Sequence, residues 1–382
     1  MNERIRRPAS QVRRLALGFI AAVALALPAM VCAQDFTIGV IAGLTGAGAS
    51  YGKGIVQGAQ MAVRDVNAAG GINGQKLVLK IVDDASEPAR SAIVMRRLLA
   101  TSPDMIVGGW GSSQVLAHMD LTEQSAIPYI VVGATHPKII SPDERWIFRV
   151  IPSDDIVAKD LVRVILNNLS LKRIAVINDS NAYGAGSRDI FIKALAQRGH
   201  SPVEIQSYQT ADTDFQHQLA AIKSSRPDSL VIFGTVPAAP RIMVQARAMG
   251  LDARFFGTGG LANETLLRAA PGAAEGTVLM AQFHEDSDPA ARAWAGRYQM
   301  SFGDNQFVNA AWEYRAIHDI AVPCLRHAGH DRVAVRKCIE TWRGRLFGSP
   351  IEAGFDAAGQ LQHPPTVVQV QDGRFKLLGH AP

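Results

Sequence analysis

The chain has 382 residues, 48% of them hydrophobic and 19% charged, with a formal net charge of +5. That charge sits in the first 33 residues, where Arg4, Arg6, Arg7, Arg13 and Arg14 face Glu3 alone; removing them from the 39 basic and 34 acidic residues leaves 34 and 33. A nearly neutral remainder without a Lys/Arg stripe excludes a nucleic-acid binder, and no later segment is apolar enough to span a bilayer, so a soluble product is expected.

The basic start, a short apolar run at 15–27 and the small residues Val31-Cys32-Ala33 read as a cleavable export signal. The residues around Arg13-Arg14 fit twin-arginine export poorly, and Ala29-Met30-Val31 makes a poor lipobox before Cys32. General secretion with cleavage near Ala33 is the expectation. Roughly 350 residues then remain, more than one hydrophobic core usually holds, which predicts two lobes.

From residue 36 the chain reads strand, glycine-rich loop, amphipathic helix, Asn-Gly turn, strand. Ile55, Ala59, Ala62, Val63 and Val66 recur at helical spacing, so one helix face packs on a sheet, and Gly70-Gly71 ends the helix. Strands are predicted at 37–41, 76–82, 105–108 and 129–133, with helices ending near 69, over 88–100 and from 113. The cadence starts again with strands at 173–177, 203–208, 229–233 and 254–257 and helices at 187–197, 214–224 and 240–249. A helical pattern over 289–345 and strands near 366–370 and 374–378 close the chain. This alternation predicts an α/β fold of doubly wound parallel sheets, with loops gathered at the strands' carboxyl ends.

Cys324 and Cys338 are the only cysteines beyond the export signal. In an oxidising compartment such a pair can form a disulfide joining two consecutive helices, with a loop-closure benefit of roughly 3 kcal/mol. Two buried free thiols are the alternative. No His or Cys sits beside them at ligand spacing, so no metal is expected.

The segment 36–84, FTIGVIAGLTGAGASYGKGIVQGAQMAVRDVNAAGGINGQKLVLKIVDD, closely resembles the start of the periplasmic solute-binding proteins of branched-chain amino acid and amide ABC transporters. The resemblance extends over essentially the whole chain beyond the export signal. It implies a type I periplasmic binding fold: two doubly wound parallel-sheet lobes joined by a multi-crossing hinge, with the ligand cleft between them. One lobe would be 34–153 plus 283–354 and the other 154–282 plus 355–382. It further implies a monomer in the periplasm that binds a small molecule, serves an inner-membrane ABC permease, needs no cofactor and is not an enzyme.

Trp110-Gly111-Ser112-Ser113 follows an apolar strand and opens a helix, where unpaired amides and the helix dipole favour an anion. Taken alone, these serines read first as helix caps. A second such loop, Gly133-Ala134-Thr135, follows the next strand. The family resemblance implies that Ser112, Gly133, Ala134 and Thr135 hold a ligand's α-carboxylate, with glycine at 133 where alanine is common. It implies also that Tyr51 and Tyr183 close over the ligand from opposite lobes, supplying apolar area and a hydroxyl; a loop aromatic packed on its own lobe is the alternative for each. Trp110 and Phe307 are candidates for the side-chain pocket, though core packing explains Phe307 equally well.

Two positions depart from the family pattern. Gly259 stands where amino-acid binders carry a glutamate for the ligand's ammonium, and Thr235 stands where an aromatic residue is usual. A buried cation without a counter-charge costs several kcal/mol, so the expected ligand is a small carboxylate lacking the α-amine, aromatic or branched. A shift of the alignment by a residue or two would instead bring Glu264 to the ammonium.

Gly48-Ala49-Ser50-Tyr51-Gly52 matches the G-x-S-x-G of serine hydrolases, but several residues separate it from the preceding strand. Glycines 46, 48 and 52 miss the dinucleotide-binding spacing. A sensor presenting its closed lobes to a receptor would have the same binding site as a transport component.

Overall fold

The computed structural model describes Met1 and residues 34–141, 145–169, 171–305 and 307–380. The expected export signal lies outside the described residues. Two large sheets with their helices, and a small two-stranded one, make up the described residues.

The first sheet is built from β1 (Phe36–Ala42), β2 (Leu77–Asp83), β3 (Met105–Gly108), β4 (Tyr129–Val131) and β5 (Ile147–Arg149), in the order β2-β1-β3-β4-β5. All four pairings are parallel. The connecting helices are α1 (Ala49–Ala68), α2 (Pro88–Ala100) and α3 (Ser112–Ser125). Because both faces of a parallel sheet are covered, its strands read as continuous apolar runs, and β3 and β4 are buried along their whole length. One face packs α1 through Ile55, Ala59, Ala62 and Val66; the other packs α2 and α3 through Met95, Leu98 and Val115.

Beyond β5 come α4 (Asp154–Arg163), β6 (Ile174–Asp179), α5 (Ala182–Ala196), β7 (Glu204–Tyr208), α6 (Gln216–Ser224), β8 (Ser229–Phe233), α7 (Ala238–Ala248), β9 (Arg254–Thr258), α8 (Glu264–Ala269) and β10 (Val278–Ala281). Then α9 (Pro289–Phe302), α10 (Phe307–Arg315), α11 (Val322–Ala328) and α12 (Arg332–Thr341) lead to β11 (Arg343–Arg345), β12 (Glu352–Gly354), β13 (Thr366–Gln371) and β14 (Arg374–His380). The second sheet has the order β14-β13-β10-β9-β8-β6-β7. Its β7-β6-β8-β9-β10 portion is parallel.

Three features differ from the sequence reading. The second sheet is mixed, because β13 pairs antiparallel with β10 and β14 antiparallel with β13. Asp372-Gly373 at φ 53° and 68° makes the two-residue turn that such a hairpin needs. Helix α5 starts five residues earlier than expected, at Ala182, because the Asn181 side chain accepts the Gly184 N–H at 2.9 Å and caps a glycine-interrupted first turn. Finally, the helical pattern does not run to Arg345: α12 ends at Thr341 and Arg343–Arg345 pairs antiparallel with Glu352–Gly354.

Helices α9 to α12 return to the first sheet: Trp294, Tyr298, Trp312 and Cys324 share a core with Ile38, Val40 and Val107. Cys324 on α11 and Cys338 on α12 are joined by a disulfide, closing a separation of 14 residues. No helix among the described residues is long and apolar enough to cross a membrane.

Candidate functional site

Parallel strands deliver their following loops to one edge of each sheet. Here the loops after β3, β4, β6, β8, β9 and β10 converge on a cavity of about 310 Å³, to which they contribute Trp110 to Gln114, Gly133 and Thr135, Asn181, Thr235, Thr258 to Gly260 and Gln282. The volume lies at the small end of the ~300–1,000 Å³ spanned by small-molecule pockets, which suits a ligand of about amino-acid size.

The loop after β3 turns sharply through Gly108 and Gly109 at φ 131° and 78°. A Cβ on Gly109 would stand 2.0 Å from the Tyr129 hydroxyl, so only glycine lets this loop lie against β4. Gly133 is fixed in the same way: a Cβ there would meet the Trp110 Cα at 2.7 Å, which accounts for glycine in place of alanine.

Neither serine caps α3, whose N-cap position is Gly111 with no side-chain cap. The Ser112 hydroxyl is buried and accepts the His136 N–H at 3.3 Å. Ser112 lines the cavity, and its hydroxyl keeps a donor and a second lone pair. The Ser113 hydroxyl accepts the Ala182 N–H at 3.2 Å, linking α3 to the start of α5. Thr135 lines the cavity with its Oγ1 buried and lacking a hydrogen-bond partner. These groups together can take an anion: hydroxyls from two loops and the amides of a helix's first turn.

Of the other residues singled out from sequence, Trp110, Gly111, Tyr183, Thr235 and Gly259 line the cavity. Tyr183 shares a hydrogen bond with the Thr258 hydroxyl, and burial pushes its phenol well above the ordinary range. Three residues depart from the expectation. Tyr51 is off the cavity wall, stacked behind Trp110 at 4.2 Å, with its hydroxyl donating to the Gly260 carbonyl at 2.6 Å and accepting the Val236 N–H at 3.0 Å. It therefore ties the loop region of α1 to loops of the second sheet and leaves Trp110 to face the cavity. Ala134 is buried in the core beneath its loop. Phe307 lies in a separate depression, edge-on to Tyr298 at 5.7 Å and packed on the first sheet's core.

A Cβ on Gly259 would meet the Gln282 amide carbon at 2.9 Å, so a neutral side chain occupies the space next to this glycine. Glu264 opens α8 and lines the depression that holds Phe307. It does not reach the cavity, and realigning the chain to bring it there is not supported by its position.

Asp154 was missed. It is the first residue of α4, beside the N-cap Ser153, and an acidic residue in a helix's first turn is ordinary enough to escape notice. The structure puts it on the cavity wall, 3% exposed, with Oδ2 lacking a hydrogen-bond partner. Burial pushes its carboxyl up to about 6, opposed by the nearby Thr135 and Ser187 hydroxyls and by Arg149, while Asp155 adds to the rise. Arg149 is itself buried, which pulls its guanidinium down to about 10. Among the described residues lining the cavity, Asp154 is the only Asp, Glu, Lys, Arg or His.

The G-x-S-x-G match does not form a nucleophile elbow: Ser50 lies inside α1, its hydroxyl accepting from Asn263 at 3.2 Å. Among the described residues no group of three or more His, Cys, Asp or Glu could hold a metal ion.

A family model described as "Periplasmic binding protein" matches residues 35–374. The leucine-specific-binding protein of Salmonella typhimurium is 29% identical over 308 residues, 81% of this chain and 84% of that one. Among solved structures, the branched-chain amino acid transporter substrate binding protein LivJ of Streptococcus pneumoniae, in complex with isoleucine, superposes with a TM-score of 0.83 at 22% identity, covering 91% of this chain and 100% of that one. A solute binding protein of an R. palustris ABC transporter, in complex with benzoate, gives 0.82 at 19% identity over 91% and 96%. The chain belongs to the type I periplasmic binding proteins of the branched-chain amino acid transporter family, whose members are binding proteins and not enzymes.

Proposed function

We propose that this periplasmic solute-binding protein captures one small carboxylate-bearing solute in the 310 Å³ cavity and delivers it to an inner-membrane ABC permease. The observation that carries this reading is the pairing of Ser112 and Thr135. Their hydroxyls, from two successive loops of one sheet, meet the same cavity beside the first turn of α3. We place the ligand's carboxylate there, and its apolar portion against Trp110 and Val157, which share the wall.

Lobes 34–153 plus 283–354 and 154–282 plus 355–382 would close on the ligand as hinged bodies, each supplying part of the wall. The first would give Ser112, Gly133 and Thr135, the second Tyr183, Thr235 and Gly259. Export by a signal cleaved near Ala33 agrees with a periplasmic site of action.

A second reading of the ligand, an aromatic or branched acid without an α-amine, is favoured by Gly259 and by the benzoate held by the R. palustris neighbour. A thermal-shift screen of amino acids, amides and aromatic and aliphatic carboxylates tests the function. A true ligand at about 100 times its Kd adds about 2.7 kcal/mol of apparent stability and raises Tm. Failure of every carboxylate to raise it, with a shift from an uncharged solute instead, contradicts the assignment.

A further inference from the structure

We propose that Gln282 and Asn309 are specificity-determining residues of the cavity, and that they select a solute carrying, besides its carboxylate, a neutral hydroxyl or carboxamide. This deepens the reading that the cavity takes a small carboxylate solute, and rests on it.

Among the described residues, four carboxamide side chains line the cavity: Gln114, Asn181, Gln282 and Asn309. Two of them are engaged within the protein. Gln114 donates to the Ser86 carbonyl, and Asn181 accepts the Gly184 N–H at 2.9 Å. The side chains of Gln282 and Asn309 make no hydrogen bond among the described residues, although Gln282 is only 6% exposed and is bonded through its backbone carbonyl alone. A carboxamide carries two donor hydrogens and an acceptor oxygen with two lone pairs, and a buried one without partners is rare in native proteins. On the wall of a ligand-sized cavity, the ligand can be that partner.

The fold brings the two residues to one part of the wall. Gln282 follows β10, and its backbone carbonyl accepts the indole N–H of Trp312 at 3.0 Å. Trp312 lies three residues after Asn309 on α10 and so shares its helix face, which this bond holds against the end of β10. The Gln282 side chain lies beside Gly259, also on the wall: a Cβ there would stand 2.9 Å from its amide carbon and 3.1 Å from its amide nitrogen. Neither residue belongs to the loops of Ser112 and Thr135, so a carboxylate held by those loops leaves both amides to another group of the solute. The described lining has no Lys, Arg or His, so a second anionic group would find no counter-charge. A hydroxyl or a carboxamide adds no charge and meets an amide's donors and acceptor together. A purely apolar tip would cover the amides and leave them unpaired, and a site with hydrogen-bonding groups rejects an analogue lacking its partner far more strongly than one lacking a methylene.

The test is titration calorimetry at pH 7.5 with acids paired by shape: asparagine against leucine, succinamate against 4-methylpentanoate, and 4-hydroxybenzoate against 4-methylbenzoate. The first two pairs exchange a carboxamide for an isopropyl group, with and without an α-amine, and the third exchanges a hydroxyl for a methyl. The polar member of at least one pair should bind about ten-fold tighter or better. Gln282→Met and Asn309→Leu should each cut that preference by about two- to ten-fold, the range for one neutral hydrogen bond, and the double variant should abolish it. A polar preference below about ten-fold in every pair that binds overturns the inference, and tight leucine or 4-methylbenzoate binding would do so while leaving the carboxylate reading intact. A preference that survives whole in the folded double variant also overturns it. Where a variant does not fold by circular dichroism, the wild-type pairs decide. Binding of no member of any pair would remove the carboxylate reading itself, and this inference with it.

Discussion

The Tyr51 hydroxyl donates a 2.6 Å hydrogen bond to the carbonyl of Gly260, 209 residues further along the chain. The same oxygen accepts the Val236 N–H, and the ring stacks on Trp110, so one side chain on α1 joins two loops of the second sheet while bracing the cavity wall. Tyr51→Phe keeps the ring and removes both hydrogen bonds. Each is worth about 0.5–1.5 kcal/mol, about 1–3 kcal/mol together, so ligand affinity should fall by roughly five- to a hundred-fold. Calorimetry reads the affinity, and small-angle scattering should show a larger ligand-free radius. An unchanged affinity and radius would make Tyr51 a packing residue only.

Ser112→Ala removes a hydroxyl that faces the cavity and leaves the helix cap at Gly111 intact. Thr135→Ala removes the second hydroxyl. Each should weaken the best carboxylate by roughly ten- to a hundred-fold, with little change in Tm. Calorimetry with both folded variants checks this, and wild-type affinity in both would displace the carboxylate from this end of the cavity.

How much of this was legible beforehand differs from residue to residue. The β3 and β4 loops could be read because an apolar run followed by glycine and a hydroxyl residue is a local pattern with a local physical meaning. Tyr51 was located as a site residue, but its placement behind Trp110 depends on a partner 209 residues away, and no local pattern carries such a contact. Asp154 was hidden for the opposite reason: beside Ser153 it looks like a helix start, which it also is. Its exposure to a cavity comes from the tertiary arrangement of α4 and the Thr135 loop. The antiparallel tail was missed in direction because strand propensity is the same for either pairing sense, and only the Asp372-Gly373 turn signalled a hairpin.

Asp154 gives the ligand-free protein a pH-dependent stability with a defined sign. Its carboxyl is raised by burial to about 6, against about 3.9 for an unfolded chain. The folded state therefore holds this proton more tightly. The resulting stabilisation is fully present below about pH 4 and is lost as pH rises through about 6. The charges facing it are Arg149 and Asp155, with the Tyr183 phenol nearby. Asp154→Asn should accordingly be more stable than wild type at pH 7.5, by on the order of 2–3 kcal/mol, with the difference vanishing near pH 4. Urea unfolding of both proteins at the two pH values measures it. A less stable variant at pH 7.5 would mean that the carboxylate is needed to hold the fold.

The Cys324–Cys338 disulfide closes a short loop between α11 and α12. Replacing both cysteines with alanine should cost about 3 kcal/mol and lower Tm, while ligand affinity is retained because the bridge lies in the core of the first sheet's helices. Scanning calorimetry and a ligand titration read the two effects. Loss of affinity at full folding would tie this helix pair to the cavity.

The most direct measurement is a crystal structure with the tightest-binding acid from the screen. The account predicts one ligand in the cavity, its carboxylate within hydrogen-bond distance, about 3.2 Å or less, of the Ser112 hydroxyl and the Thr135 loop. A ligand whose carboxylate points away from Ser112 and Thr135, or one seated in the depression beside Phe307, would contradict it.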